Sequence, residues 1–173
     1  MVFSSNIINV EIEKGKLIRI KKYLNIFDDC KHDSYISHGE VISGRATSEL
    51  KWAENIIAHM RREFIYCIVF CEYKMFEILF SGELIGFATI KINKKSKSAI
   101  LLDIMIKRDY QSKGIGREAL HKIEKYLRKK DIKIIILESG IINEKAHLFF
   151  EKNGYTEISL VYSKSLSSEN ELP

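Results

Sequence analysis

The chain has 173 residues, 46% of them hydrophobic and 29% charged, with one proline and nine glycines. That composition suits one compact globular domain and excludes long low-complexity tracts. The formal charge of +5 favours anionic ligands, but no sequence pattern of aromatics interleaved with lysine and arginine lifts nucleic acid above a solvated basic surface.

The amino terminus, Met1 to Asn6, has no basic segment followed by an apolar one, so no signal peptide is expected. Ile7 to Ile12 is patterned as a strand, which Gly15 ends. From Leu17 onward, Ile20, Leu24 and Phe27 recur at helical spacing and predict a first helix ending at Phe27. Asp28 to Thr47 is polar and reads as a substrate-facing loop. Asp28, Asp29, Cys30, His32, Asp33 and His38 are metal-ligand types, but Cys-x-His-x5-His matches no ligand spacing, so no metal is expected. Ser48 is placed to cap a second helix in which Leu50, Ala53, Ile56, Ile57 and Met60 share a face, and Trp52 reads as core or groove lining. Phe64 to Cys71 fits a buried strand or a continuation of that helix; its aromatic and β-branched content favours the strand. It is the longest apolar run and far too short to span a bilayer, so no membrane partner is expected. Cys30, Cys67 and Cys71 have neither disulfide-framework nor zinc spacing, and a reducing cytoplasm is their simplest setting.

Phe76 to Phe80 and Glu83 to Ile92 predict two antiparallel strands joined by Ser81-Gly82. A third strand, Ser98 to Ile106, follows the polar connection Asn93 to Lys97. Next comes Gln111-Ser112-Lys113-Gly114-Ile115-Gly116, which opens a helix, Gly114 to Lys130, with Ile115, Ala119, Leu120, Ile123 and Leu127 on one face. Because that helix crosses over, the strand Ile132 to Glu138 is expected parallel to its predecessor. Asn143 can cap a short helix containing Ala146, Phe149 and Phe150, which Asn153-Gly154 ends. Tyr155 to Tyr162 reads as the last strand or hairpin. The expected organisation is a single α/β domain over residues 1–164 with a polar tail over 165–173.

The glycine turn carries the chemistry. Its backbone N–H groups approach a ligand with no Cβ in the way, and the helix behind it adds unpaired N–H groups and a dipole, which together seat a phosphate or pyrophosphate. Gly114-Ile-Gly-Arg-Glu-Ala119 also satisfies the dinucleotide fingerprint G-x-G-x-x-G/A, with Glu138 ending the next strand. Against that reading, Lys107 to Lys113 separate strand from glycine, and the remaining chain is too short for a second mononucleotide-binding half.

The segment Ile104 to Tyr155 resembles the GNAT superfamily of acyl-CoA-dependent N-acyltransferases. One motif, [Gln/Arg]-x-x-Gly-x-[Gly/Ala] after an apolar strand, stands here as Gln111 to Gly116; the second, an Asn then Ala-x-x-Phe-Tyr-Glu-Lys-x-Gly-Phe, stands as Asn143 to Tyr155. The resemblance implies a mixed central sheet with helices on both faces, and transfer of an acetyl group from acetyl-CoA to a primary amine of a small molecule or protein. It implies that the backbone of Gln111, Ser112, Lys113, Gly114, Ile115, Gly116 and Arg117 holds the pyrophosphate. It likewise implies that Ile104, Met105 and Ile106 pair with the pantetheine arm, one strand amide polarising the thioester carbonyl. Asn143 corresponds to an asparagine facing the cofactor and reads equally as a helix cap. Asp103, an acid inside an apolar strand, is the first candidate for relaying the proton of the acceptor amine, and Glu138 the second. Where the family often carries a tyrosine that protonates the departing thiolate, this chain has Phe150. Three readings follow: Tyr162, or else Tyr155, supplies the proton; the thiolate leaves unassisted; or the domain is a catalytically silent acyl-CoA-binding module. A toxin acetylating aminoacyl-tRNA is a further alternative, resting on basic charge alone. Monomer and strand-edge homodimer both suit the architecture.

Overall fold

A computed structural model of the chain describes residues 9–164. The beginning of the expected amino-terminal strand and the tail, 165–173, lie outside the described residues. The chain divides into two compact units, one of residues 9–32 with 55–138 and one of 33–54 with 139–164.

The first unit holds a five-stranded sheet in the order β1 (Val10–Lys14), β2 (Tyr73–Phe80), β3 (Glu83–Asn93), β4 (Ser98–Ile106) and β5 (Ile134–Leu137). Neighbours are antiparallel up to β4, and β5 runs parallel to β4 because the helix α4 (Ile115–Lys129) crosses over between them. The turn Ser81-Gly82 has both φ angles positive, 51° and 80°, which matches the twist of a two-residue hairpin. Alternation along the strands sends one set of side chains to each face. Ile78, Ile106 and Val10 pack with Ile115 and Ala119 of α4. On the other face, Phe87 meets Tyr23 of α1 (Ile20–Cys30) and Phe64 of α3 (Ile56–Val69), with ring centroids 6.4 Å and 4.9 Å away. Helices therefore cover both faces of the sheet, as expected. No helix among the described residues is long and apolar enough to cross a membrane.

Four expectations are corrected. The second helix starts at Ile56, not near Ser48. Thr47 and Lys51 pair through backbone (2.8 Å), Ala53 N–H donates to Arg45 (2.9 Å), and Leu50 has a φ of 57°, so a tight turn consumes the groups a helix would need. Phe64 onward continues α3 to Val69 rather than forming a strand. Ile56, Met60, Phe64 and Cys67, at helical spacing, are the buried residues there, and burial of that stripe overrides β propensity. The polar stretch Asp28 to Thr47 is not one loop: α1 extends to Cys30, and α2 (His38–Ile42) begins with a capping box made by Ser37 and Glu40. Finally, Tyr155 to Tyr162 joins no ladder and has no regular structure; Ile158 and Leu160 are more than 70% exposed. Alternating apolar residues specify a strand only where a partner edge takes their backbone groups. The second unit holds α2 and α5 (Glu144–Lys152), and its Gly140 packs directly on the backbone of Ser34 and Ile36.

One buried charge ties α1 to the sheet. Glu77 of β2 is 0% exposed, and it accepts the Tyr23 hydroxyl on Oε1 and the Arg19 guanidinium on Oε2, the latter at 2.6 Å. Tyr23 also accepts the Lys16 N–H at 2.8 Å. Burial, and then the bond to Glu77, pushes the Tyr23 phenol well above its usual range, so it stays a donor. A buried carboxylate is tolerable only while paired and hydrogen-bonded. Arg19→Met is expected to cost about 2–4 kcal/mol in urea unfolding, because it strands that charge. Adding Glu77→Gln should restore part of the loss.

Candidate active site

The site is built from the far half of β4. Thr89 of β3 faces Asp103, whereas Ile90 faces Leu101, so Leu102 is an extra residue in β4. β5 pairs only with Ser98 to Leu101. Beyond that point the two parallel strands part, and the edge of β4 turned away from β3 has no ladder partner from Asp103 to Ile106 among the described residues. Glycine at position 86 lets β3 close on the same stretch: a Cβ there would run into the Met105 carbonyl oxygen and come within 3.1 Å of Ile106. The result is a strand held firmly on one side and open on the other.

The glycine turn follows. A short 3-10 turn, Arg108–Tyr110, leads to Ser112 (φ 58°) and Gly114 (φ 77°), the left-handed residue from which α4 starts. Buried Ile115 fixes the first helical residue in the core. The first helical bond of α4 runs from Glu118 N–H to Gly114. The backbone N–H groups from Ser112 to Arg117 donate to nothing among the described residues. Lys113 and Arg117 make no ion pair there either. A row of free N–H groups, two cations and the positive end of a 15-residue helix suits a pyrophosphate.

Side chains keep the turn in place. Lys107 Nζ and the Tyr110 hydroxyl converge on Glu83 at 2.8 and 2.7 Å, and these bonds hold the Glu83 carboxyl below the usual range and push the Tyr110 phenol up. Arg108 Nε donates to the Asp29 carbonyl at 2.8 Å. The Gln111 amide donates to the Ile106 carbonyl at 2.7 Å, and the Cys30 thiol, whose pKa burial pushes up, meets the same oxygen at 3.4 Å. Gln111 thus braces the turn with its side chain. Sequence reading missed Gly86, Glu83 and Thr89, because their partners become neighbours only through strand register.

Among the candidate proton-handling residues, Asp103 is half-buried where β4 opens, and its Oδ2 accepts the hydroxyl of fully buried Thr89 at 2.6 Å. Glu138 is exposed and directly follows β5, whose last residue, Leu137, pairs with Leu101. The two acids therefore flank the point where β4 and β5 part. In the second unit, Asn143 acts as a cap: its Oδ1 accepts the Ala146 N–H at 3.3 Å. Phe150 packs edge-to-face on Phe149 and Tyr155, at 5.1 and 5.4 Å. Tyr162 lies on the segment without regular structure and is 89% exposed.

Several solved structures share this fold. The proposed acetyltransferase YycN of Bacillus subtilis superposes with a TM-score of 0.67 at 17% identity, covering 92% of this chain and 100% of that one. The PaiA N-acetyltransferase of Thermoplasma acidophilum, in complex with coenzyme A, gives 0.60 at 22% identity over 86% and 90% of the two chains. The ribosomal-protein-S18-alanine N-acetyltransferase of Escherichia coli gives 0.62 at 20% over 87% and 79%. No significant match is found among curated protein sequences. Residues 44–155 match the profile of the acetyltransferase (GNAT) family, more than half of the chain, and the protein therefore belongs to that family.

Proposed function

We propose that the protein is an N-acetyltransferase that moves an acetyl group from acetyl-CoA to a primary amine. The observation that carries this reading is the row of free N–H groups from Ser112 to Arg117, beside a strand with one open edge. The turn takes the pyrophosphate; Ile104, Met105 and Ile106 offer main-chain partners to the pantetheine amides. The coenzyme supplies an acyl group activated as a thioester. An unpaired N–H of β4 supplies the donor for its carbonyl oxygen, an electrostatic contribution that side chains here do not duplicate.

The acceptor must be neutral to attack, whereas a free alkyl amine has a pKa of about 10. In this reading Asp103 takes that proton through a water; the bond from Thr89, which orients its carboxylate, supports the assignment. Glu138, on the other side of the opening, is a second proton acceptor. Tyr162, 89% exposed and outside any ladder, makes no side-chain hydrogen bond among the described residues, so the reading we favour is departure of the thiolate without a side-chain acid. A thiol pKa of about 8.5 makes that a tolerable leaving group. Phe150 motivates the other reading, a domain that binds acyl-CoA without turning it over. Amine-dependent release of CoA thiol separates the two.

Calorimetric titration with acetyl-CoA should show binding to the wild type and none to a folded Gly114→Glu, Gly116→Glu variant. No binding to the folded wild type would sink the donor reading. In a thiol-release screen across amine classes, Asp103→Asn should lower kcat by about 100-fold with donor affinity kept. Tyr162→Phe should change kcat by less than about twofold; a loss like that of Asp103→Asn would make Tyr162 the acid after all.

A further inference from the structure

Strand register gathers, at the end of the sheet remote from the site, side chains that are scattered in the sequence. There β1 ends, β2 begins and β3 ends, and the carboxyl end of α4 arrives beside them. Tyr73 of β2 stands opposite Lys91 of β3, and the Lys91 ammonium lies 5.5 Å from the Tyr73 ring centroid. Tyr66, at the end of α3, packs edge-on against Tyr73 and stacks on Phe70 with centroids 3.9 Å apart and planes at 24°. Tyr66 is 48% exposed and Phe70 46%, so this paired ring surface faces water.

The cations lie round the end of the sheet from it: Lys74 follows Tyr73 in β2 and so points to the face covered by α4, but its ammonium reaches back to Cys71, next to Phe70. Lys74 Nζ donates to the carbonyls of Tyr73 and Cys71 at 2.8 and 2.9 Å, which leaves one of its three donors free. Lys74 also lines a cleft of about 370 Å³ with Lys14, Phe76 and Tyr126, and Lys130 lies 5.8 Å from the Tyr126 ring centroid. Partial burial, and then the nearby charge of Lys14, pulls the Lys74 ammonium below its usual pKa; Cys71 opposes this, and Lys94 and Lys130 add to it. None of them, nor Lys91, forms an ion pair among the described residues. Lys97 and Lys133 differ, since both are bound to Asp131. Of the carboxylates at this end, Glu13 is committed to Lys16 at 2.8 Å, and Glu72 subtracts one charge.

Cations that outnumber the carboxylates and form no ion pair among the described residues, round the end of the sheet from stacked exposed rings, match a ligand that repeats phosphates and flat bases. We propose that this end of the sheet binds single-stranded nucleic acid, with bases against the Tyr66–Phe70 rings and backbone phosphates on Lys74, Lys91, Lys94 and Lys130. A plain acidic surface would engage the lysines but gain nothing from paired rings. The surface lies about 18 Å along α4 from the glycine turn, so it is a second site.

Fluorescence anisotropy with labelled oligouridylate and oligothymidylate of about twelve nucleotides, on the full chain, tests this. Binding should weaken at least about tenfold in Lys91→Ala, Lys94→Ala and in Tyr66→Ala, Phe70→Ala, and stay unchanged in Lys21→Ala, Lys22→Ala. Four phosphate contacts predict a slope of about −3 for log K against log salt. Preference between the two oligonucleotides identifies RNA or DNA as the source. The lysine variants touch only exposed side chains, so they keep the test decisive if the ring variant does not fold. The proposal is overturned if the folded wild type binds neither probe. It is equally overturned if Gly114→Glu, Gly116→Glu abolishes binding while the lysine variant keeps it. Competition by inorganic polyphosphate together with an inert ring variant would reduce the surface to a general polyanion patch and overturn it too.

Discussion

The structure turns on how β4 is paired. A central strand normally satisfies its backbone on both edges, and a buried unpaired amide or carbonyl costs free energy comparable to a lost hydrogen bond. Here β3 pairs with one edge along the strand except at Leu102, whereas β5 releases the other after Leu101. The extra residue Leu102 sits where the release occurs. A bulge re-aims the residues that follow it, and Asp103 is the first of these. Opening the strand, placing the acid and freeing main-chain donors are thus consequences of one register shift.

An open strand edge needs its surroundings fixed, and the glycine turn is anchored accordingly. Its supports come from the β2–β3 turn through Glu83, from the end of α1 through Asp29 and Cys30, and from the Gln111 amide. None of these bonds uses the N–H groups from Ser112 to Arg117. Anchoring by side chains while the backbone N–H groups stay unspent is a division of labour that a shorter strand-to-helix turn could not manage. The seven residues from Lys107 to Lys113, which set this turn apart from a dinucleotide fingerprint, are the length that these anchors require.

The sequence made most of this unit legible because its signals are local. The hairpin at Ser81-Gly82, the amphipathic face from Ile115 to Leu127 and the parallel β5 each follow from periodicity or turn chemistry. The failures have a common physical cause. Phe64 to Val69 carries strand-like residues but is decided by a helical stripe burying against Tyr23 and Phe87. Tyr155 to Tyr162 alternates as a strand does, yet no edge accepts it. Asp103 was recognisable as an acid in an apolar run; its partner Thr89 was not, since fourteen residues of hairpin separate them.

Net charge was the least informative sequence quantity, and the structure shows why. Part of the positive charge near the carboxyl end of α4 has an ordinary role, since Arg128 and Lys129 occupy the last turn, where cations offset the helix dipole. Lys97 and Lys133 are likewise accounted for by Asp131, whose carboxyl they pull down to about 2. Neither account reaches Lys74, Lys91 or Lys94, which sit on strands or a hairpin connection without carboxylate partners among the described residues. Repulsion among exposed cations is weak in water but grows as one of them is partly buried, as Lys74 is. Charge that serves neither a helix end nor an ion pair among the described residues is the portion of the +5 that local structure does not account for.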